Sequence, residues 1–469
     1  MIAELKPYAD YKDSGVSWLG KVPAHWQIVR SKRLFTARQE LARPDDVQLS
    51  ATQAYGVIEQ SLYEERTGYR VVKIAMHLDK PERRHVERDD FIISMRSFQG
   101  GLERAWSSGA IRSSYVVLKP ETQVEAAYFK HLFKSMPYIA ALRATGDFIR
   151  DGQDLNYSNF CGVDLPLVPL PDQAAISRFL DWANGRIDRT IRAKRKVIVL
   201  IAEQKQAIVH SAVTRGLSPD VPLKPTGLPW LGTIPRHWEI WRISRFARVG
   251  NGSTPSRGNP KYWHGGTYPW LNSSQVNRPF IDGADQFVTR TALRECHLPR
   301  VPTGSLLVAI TGQGKTRGMS AILGVEATIN QHIAYITPRV PIASAEFIHL
   351  AFTAAYRQLR AASEDAGSTK GAITCDDLKR FKIAVPPAEE QRQLVQHIQA
   401  VTKNLTLAAD RLEREIDLLI EYRTRLTADV VTGKLDVREV VKHLPDVVTV
   451  QTAEEPSEDT ELADEEAEA

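Results

Sequence analysis

Residues 15–30 read GVSWLGKVPAHWQIVR and residues 227–242 read GLPWLGTIPRHWEIWR, with nine of sixteen positions identical at a constant offset of 212. The identities include Trp18/Trp230, Pro23/Pro235, His25/His237 and Trp26/Trp238. Residue types this rare, repeated at one spacing, mean duplication. The chain must therefore fold as two copies of one unit, and its function should be one that needs two copies.

Beyond Pro120/Pro338 the offset settles at 218, with Phe129/Phe347, His131/His349, Gln173/Gln391, Glu203/Glu421 and Thr214/Thr432 identical. The offset changes only between about residues 31 and 119. Arms, helices and connectors keep their length while the middle of each globular part varies, the pattern of a ruler that carries two different readers.

Within each copy the hydrophobic period changes along the chain. FIISM at residues 91–95 and YVVLKP at 115–120 predict buried strands. LLVAITGQGKT corresponds to FIISMRSFQGG in the other copy, and residues 125–144 predict helix with a break at Pro137. LPLVPLP at 165–171 then predicts a helix start, with Asp172 in the first turn. Residues 170–214 and about 388–432 place apolar residues at spacings of three, four and seven, including Ile176, Leu180, Ala183 and Ile187, then Leu394, Ile398, Val401 and Leu405. Such a helix is roughly 65 Å long and must pack along something equally long.

At 469 residues the chain has room for two to four domains. No apolar run reaches the roughly 18–20 residues of a membrane span, and MIAELKPYADYK has no signal-peptide core, so a cytoplasmic protein is expected. Cys161, Cys296 and Cys375 show no CxxC spacing, which excludes a disulfide framework or zinc site of the usual pattern. Residues 446–469 hold ten acidic groups and no Lys or Arg, an acidic tail expected to be disordered. The remainder carries 61 basic against 46 acidic groups, which favours a polyanion such as DNA.

Catalytic motifs are only imitated. GQGKT at 312–316 has Ala309 where a phosphate-binding loop needs its first glycine. Pro171-Asp172 followed by Glu203-Gln204-Lys205 resembles a metal-nuclease pattern, but both parts lie on one helix about 46 Å apart. His25, His131, His237 and His349 form no H-x-x-x-H pair and are expected to be structural, so neither a catalytic residue nor a metal site is predicted. The four tryptophans at 18, 26, 230 and 238 stay with the constant frame, which predicts clamps holding each globular part to the helices rather than stacking platforms for bases.

Taken together, the G-x-x-WLG-x-x-P-x-HW arm, the proline-led long helix ending in VTRGL and then VTGKL, PPAEEQ at 386–391 and GNGSTPSRGNPKYWHGGTYPW at 250–270 resemble the specificity subunit of a type I restriction-modification system, HsdS-like, over nearly the whole chain to about residue 440. The first helix entry, PLPDQ, is shorter than the family's pattern. The resemblance implies an α+β chain in which two target-recognition domains alternate with two long helices, paired as an antiparallel coiled coil in a pseudo-two-fold internal repeat. The expected limits are residues 1–168 for the first arm and recognition domain, 169–217 for the central helix, 218–385 for the second arm and domain, 386–440 for the distal helix and 441–469 for the tail. Each domain would read one half of a split, asymmetric double-stranded DNA site. Two methyltransferase subunits would dock on the helices and restriction subunits would join, with S-adenosylmethionine, ATP and Mg on those partners and no cofactor on this chain. Expected DNA contacts are Arg96, Ser97, Gln99 and Arg104 in the first domain, and Ser253, Thr254, Arg257, Asn272, Gln313, Lys315 and Arg317 in the second. A coiled-coil scaffold with two adaptor domains, or a nucleotide-binding enzyme using GQGKT, are the alternatives.

Overall fold

Gln173 and Gln391 show what a residue repeated at offset 218 does. Gln173 Nε2 donates to the carbonyls of Gln123 (2.9 Å) and Val168 (2.7 Å), and its Oε1 accepts from Glu125 N at 2.8 Å. Gln391 Nε2 donates to Ile342 and Pro386 at 2.7 and 2.9 Å, and its Oε1 accepts from Ser344 N at 3.2 Å. Both amides are buried. A primary amide is the neutral side chain that can donate twice and accept as well, so each ties the start of a long helix to the connector before it and to the helix packed beside it.

The computed structural model describes residues 5–69, 83–94, 97–146, 156–312, 315–339, 342–364 and 371–445. It divides into two compact units: unit 1, residues 1–194 with 414–469, and unit 2, residues 195–413. The long helices run Leu170–Arg215 and Ala388–Val431, within a residue of the spans predicted from periodicity. Each contributes one part to each unit. Ile176, Phe179, Leu180 and Ala183 join Leu426, Val430 and Val431 in the core of unit 1. In unit 2, Val209, Ala212 and Val213 share a core with Leu394 and Ile398. Asp188 pairs with Arg423 at 2.5 Å and Lys194 with Glu415 at 2.6 Å in unit 1, and Lys205 Nζ donates to Thr406 Oγ1 at 2.8 Å in unit 2.

Each unit carries a sheet with the same core order. In unit 1 it is Phe35–Ala37, Val116–Pro120, Phe91–Ile93 and Glu103–Arg104, all antiparallel. Unit 2 orders Ala247–Asn251, Ile333–Pro338, Leu306–Ala309 and Ser320–Leu323 likewise, and adds Phe280–Ile281 as a parallel edge. The strands at 91–93 and 306–309 are buried throughout, as continuous apolar runs require. The helical stretch after the first sheet breaks into Ala126–Phe133 and Met136–Arg143, with Pro137 in the first turn of the second helix, where its missing N–H costs nothing. A further sheet of unit 2, Gln286–Val288, Tyr268–Leu271 and Thr328–Ile329, has no counterpart among the described residues of unit 1.

The tryptophans of the repeated element are structural. Trp26 and Trp238 have no exposed surface, and each lies against the glycine that ends a long helix, Gly433 for Trp26 and Gly216 for Trp238. Trp26 Nε1 donates to Asp172 Oδ2 at 3.3 Å, and His25 Nε2 lies 2.7 Å from the same oxygen. In unit 2, His237 meets Glu390 Oε2 at 2.8 Å, again a carboxylate in the first turn of a long helix. Trp18 Nε1 donates to Asp164 O, and Trp230 stacks on Phe381.

Candidate nucleic-acid interface

In unit 2 the glycine-rich entry wraps around one tryptophan. Trp270 is buried at the start of the added sheet, and its Nε1 donates to Ser253 O at 3.2 Å. Trp263 meets it edge to face with ring centroids 5.2 Å apart. Gly252 must be glycine, because a Cβ there would collide with Ile329 O. The result is a tight loop that presents Arg257. The guanidinium lies 4.1 Å from the Trp263 centroid and 4.8 Å from that of Trp270, and donates to Gln286 Oε1 at 2.8 Å. An exposed arginine held against two rings and an amide has already lost much of the rotamer freedom that binding would cost.

A polar chain links this loop to the glycine-rich turn after Leu306–Ala309. Thr254 Oγ1 donates to Gln331 Oε1 at 2.6 Å, Gln331 Nε2 lies 3.1 Å from His332 Nε2, and His332 Nδ1 lies 2.8 Å from Thr311 Oγ1. Because the amide NH₂ faces Nε2, that nitrogen accepts and the ring proton sits on Nδ1. Two loops predicted separately are thereby joined through Gln331 and His332, neither of which stood out in the sequence.

The other predicted contacts fall in varied surroundings. Ser253 Oγ donates to Cys296 O, and Asn272 caps the turn Ser273–Asn277 through Ser274 N. Lys315 is exposed, and its carbonyl accepts from Tyr356 Oη at 2.5 Å. Arg317 is buried instead, donating to Gly371 O at 2.7 Å, so it braces the turn from inside. In unit 1, Ser97 is buried and accepts from Ser94 N. Arg104 is buried against Trp106, 4.4 Å from its centroid, and pairs with Asp89 at 2.6 Å. Gln99 is exposed, while Arg96 and Gln313 lie outside the described residues.

The nucleotide-site alternative meets a structural obstacle. A phosphate loop delivers its backbone amides at a helix N-terminus. Here the chain passes from Leu306–Ala309 to the antiparallel strand Ser320–Leu323, closed by Gly318 N donating to Ala309 O at 2.8 Å. Among the described residues no group of three His, Cys, Asp or Glu side chains is placed to hold a metal ion, and no helix is long and apolar enough to cross a membrane.

Residues 235–417 match the family model for the type I restriction modification DNA specificity domain. The chain is HsdS-like. It is 27% identical over 168 residues to the Type I restriction enzyme EcoR124I/EcoR124II specificity subunit of Escherichia coli, covering 36% of this chain and 41% of that protein. It is 29% identical over 167 residues to the MjaIX specificity subunit of Methanocaldococcus jannaschii, covering 35% of this chain and 38% of the relative. The matched stretches are thus about two fifths of the relatives' lengths. Among solved structures, a chain from work on complex assembly and conformational transition of the type I R-M system covers 88% of the HsdS-like chain and 99% of its own length, with TM-score 0.59 and 15% identity. That likeness establishes a shared fold.

Proposed function

We propose that this HsdS-like chain is the DNA specificity subunit of a type I restriction-modification complex and catalyses nothing itself. The observation that carries the proposal is the match of residues 235–417 to the DNA specificity domain of such systems. Unit 2 would read one half-site through the Arg257 loop and the turn joined to it by Gln331 and His332. The first recognition domain, whose middle differs in sequence, would read a different half-site.

In this proposal the long helices pair as an antiparallel coiled coil that relates the two copies by a pseudo-two-fold and sets the gap between half-sites. The pairs Asp188/Arg423 and Lys194/Glu415, whose numbers run in opposite directions, support it. Exposed Val199 and Leu200 on the first helix and Leu407 on the second supply apolar surface for methyltransferase subunits. S-adenosylmethionine would be carried by those subunits, and ATP and Mg by the wider complex with its restriction subunits, all in the cytoplasm.

The test is sequence-selective binding by the chain assembled with its methyltransferase partner. A split motif with adenine methylation, bound with steep salt dependence, is expected. Exchanging residues 31–167 for those of another specificity subunit should change one half-site only. Absence of selective, salt-sensitive affinity would return the chain to the scaffold class.

A further inference from the structure

Unit 1 contains a cleft of 340 Å³ between the hairpin Leu49–Thr52/Gly56–Glu59 and the strand Gly109–Ile111 with the turn that follows it. Its walls are fixed by backbone. Gln48 O accepts from Gln60 N at 2.9 Å, and Ala110 N donates to Val47 O at 2.8 Å. Gly109 permits that approach, because a Cβ there would meet Val47 O. The lining includes Arg83, Arg112, Gln48, Ser113 and Ser114 and, among the described residues, no carboxylate. Neither arginine side chain has a hydrogen-bond or ion-pair partner among the described residues.

A larger cleft of unit 1, 430 Å³, provides the contrast. Its cations are answered locally: Lys134 by Glu103, Arg423 by Asp188 at 2.5 Å, and Arg104 by Asp89 at 2.6 Å. A neutralised cleft gives an anion little. The smaller one keeps two guanidinium forks unpaired among the described residues, with an amide and two hydroxyls beside them, the side-chain types that contact phosphates and base edges.

We infer that this cleft, rather than the loop containing Ser97 and Arg104, is where unit 1 grips and reads its half of the duplex. Arg83 and Arg112 engage phosphate or guanine, and Gln48 and Ser113 meet base edges. The inference rests on the proposed DNA-reading function and adds the residues that determine the first half-site.

The double substitution Arg83→Gln/Arg112→Gln tests it. Among the described residues the hydrogen bonds of both run through their carbonyls, which accept from Ala42 N at 2.9 Å and Tyr115 N at 3.1 Å, so the variant should fold. Wild-type and variant chains, each assembled with the methyltransferase partner, are used to select from a random-sequence duplex library. Affinity for the wild-type consensus duplex is then followed across salt concentration. The expected result is affinity at least about tenfold weaker, a salt slope shallower by about two, and relaxed base preference in one half-site with the other retained. Unchanged affinity, slope and consensus in a wild-type complex that does select DNA would overturn the cleft assignment and leave the specificity function standing. A wild-type complex that selects no sequence would overturn both.

Discussion

A Cβ on Gly433 would stand 2.9 Å from Cη2 of Trp26 and 2.4 Å from Cδ of Pro23, inside van der Waals contact with both, and the glycine already holds φ +77°. Its counterpart Gly216 has the same φ, but its nearest neighbours, Glu390 and Trp238, stand 3.4 Å away. Gly433→Ala should therefore carry both the left-handed penalty and a clash, about 2–4 kcal/mol, and Gly216→Ala only the first, about 1–2 kcal/mol. Urea midpoints of the two variants check the ranking. Equal losses would show that Pro23 and Trp26 both give way.

Trp238 Nε1 has no hydrogen-bond partner among the described residues, whereas Trp26 Nε1 donates to Asp172. Trp238→Phe should cost less than Trp26→Phe, by about 1 kcal/mol. Trp238→Ala should cost about 3–5 kcal/mol and impair assembly, leaving the methylated motif of surviving complexes unchanged. A shifted motif would move this residue from the frame to the DNA.

Replacing Gln173 or Gln391 by Glu removes two donated hydrogen bonds and sets a carboxylate against the same buried carbonyls. A loss of about 2–4 kcal/mol is expected for each, with Gln→Leu costing no more than Gln→Glu. Thermal unfolding separates these outcomes. Tolerance of Glu would mean the amide orientation has been misassigned.

His131 and His349 occupy equivalent positions in the sequence but meet different partners. His131 pairs with Asp181 at 2.8 Å, whereas His349 faces Ser320 Oγ at 3.0 Å, and burial pushes its pKa below the ordinary imidazole value. A depressed histidine contributes stability above its unfolded pKa of about 6.5 and loses it as pH falls through the folded value. In unit 1 His85 behaves oppositely. Burial disfavours its charge, but hydrogen bonds to Glu87 and Asp46 outweigh that and raise its pKa. Its contribution is full below about pH 6.5 and is lost as pH rises through the raised value. Amide exchange, corrected for intrinsic rates, should show unit 2 loosening on acidification and unit 1 on alkalinisation. His349→Gln and His85→Gln should flatten the respective trends, and parallel trends in both units would contradict the assignment.

Arg257→Ala should weaken selective DNA binding by about 1–3 kcal/mol and relax one half-site. Arg257→Lys should restore little, because an ammonium reproduces neither the contact of the guanidinium with Trp263 and Trp270 nor the fork. Affinity and library selection together decide the matter. Full rescue by lysine would reduce the residue to a point charge.

The helices were legible because proline starts, glycine stops and apolar spacing all agreed, and the sheets because runs such as FIISM and LLVA are apolar throughout. Partner choice was not. Arg104 and Arg317 look in the sequence like Arg257, yet Trp106 with Asp89 encloses one and Gly371 O holds another, contacts set by folding rather than by spacing. Nor does apolar spacing reveal that each long helix divides its apolar face between the cores of two units. Gln331 and His332 were overlooked because polar residues at a strand entrance look like any loop until Thr254 and Thr311 are seen on either side.

Unit 2 is one uninterrupted stretch, but unit 1 is completed by residues at the far end of the chain: Tyr11 Oη donates to Lys434 O across 423 positions, and Tyr128 Oη to Val431 O across 303. During synthesis the copy encoded first must wait with the underside of Trp26 open until Gly433 leaves the ribosome, while the copy encoded second can finish ahead of it. The core begun first is thus the one whose last residues are made after all of unit 2, and a chain truncated before residue 431 would lack Val431, Val437 and Val441 from it.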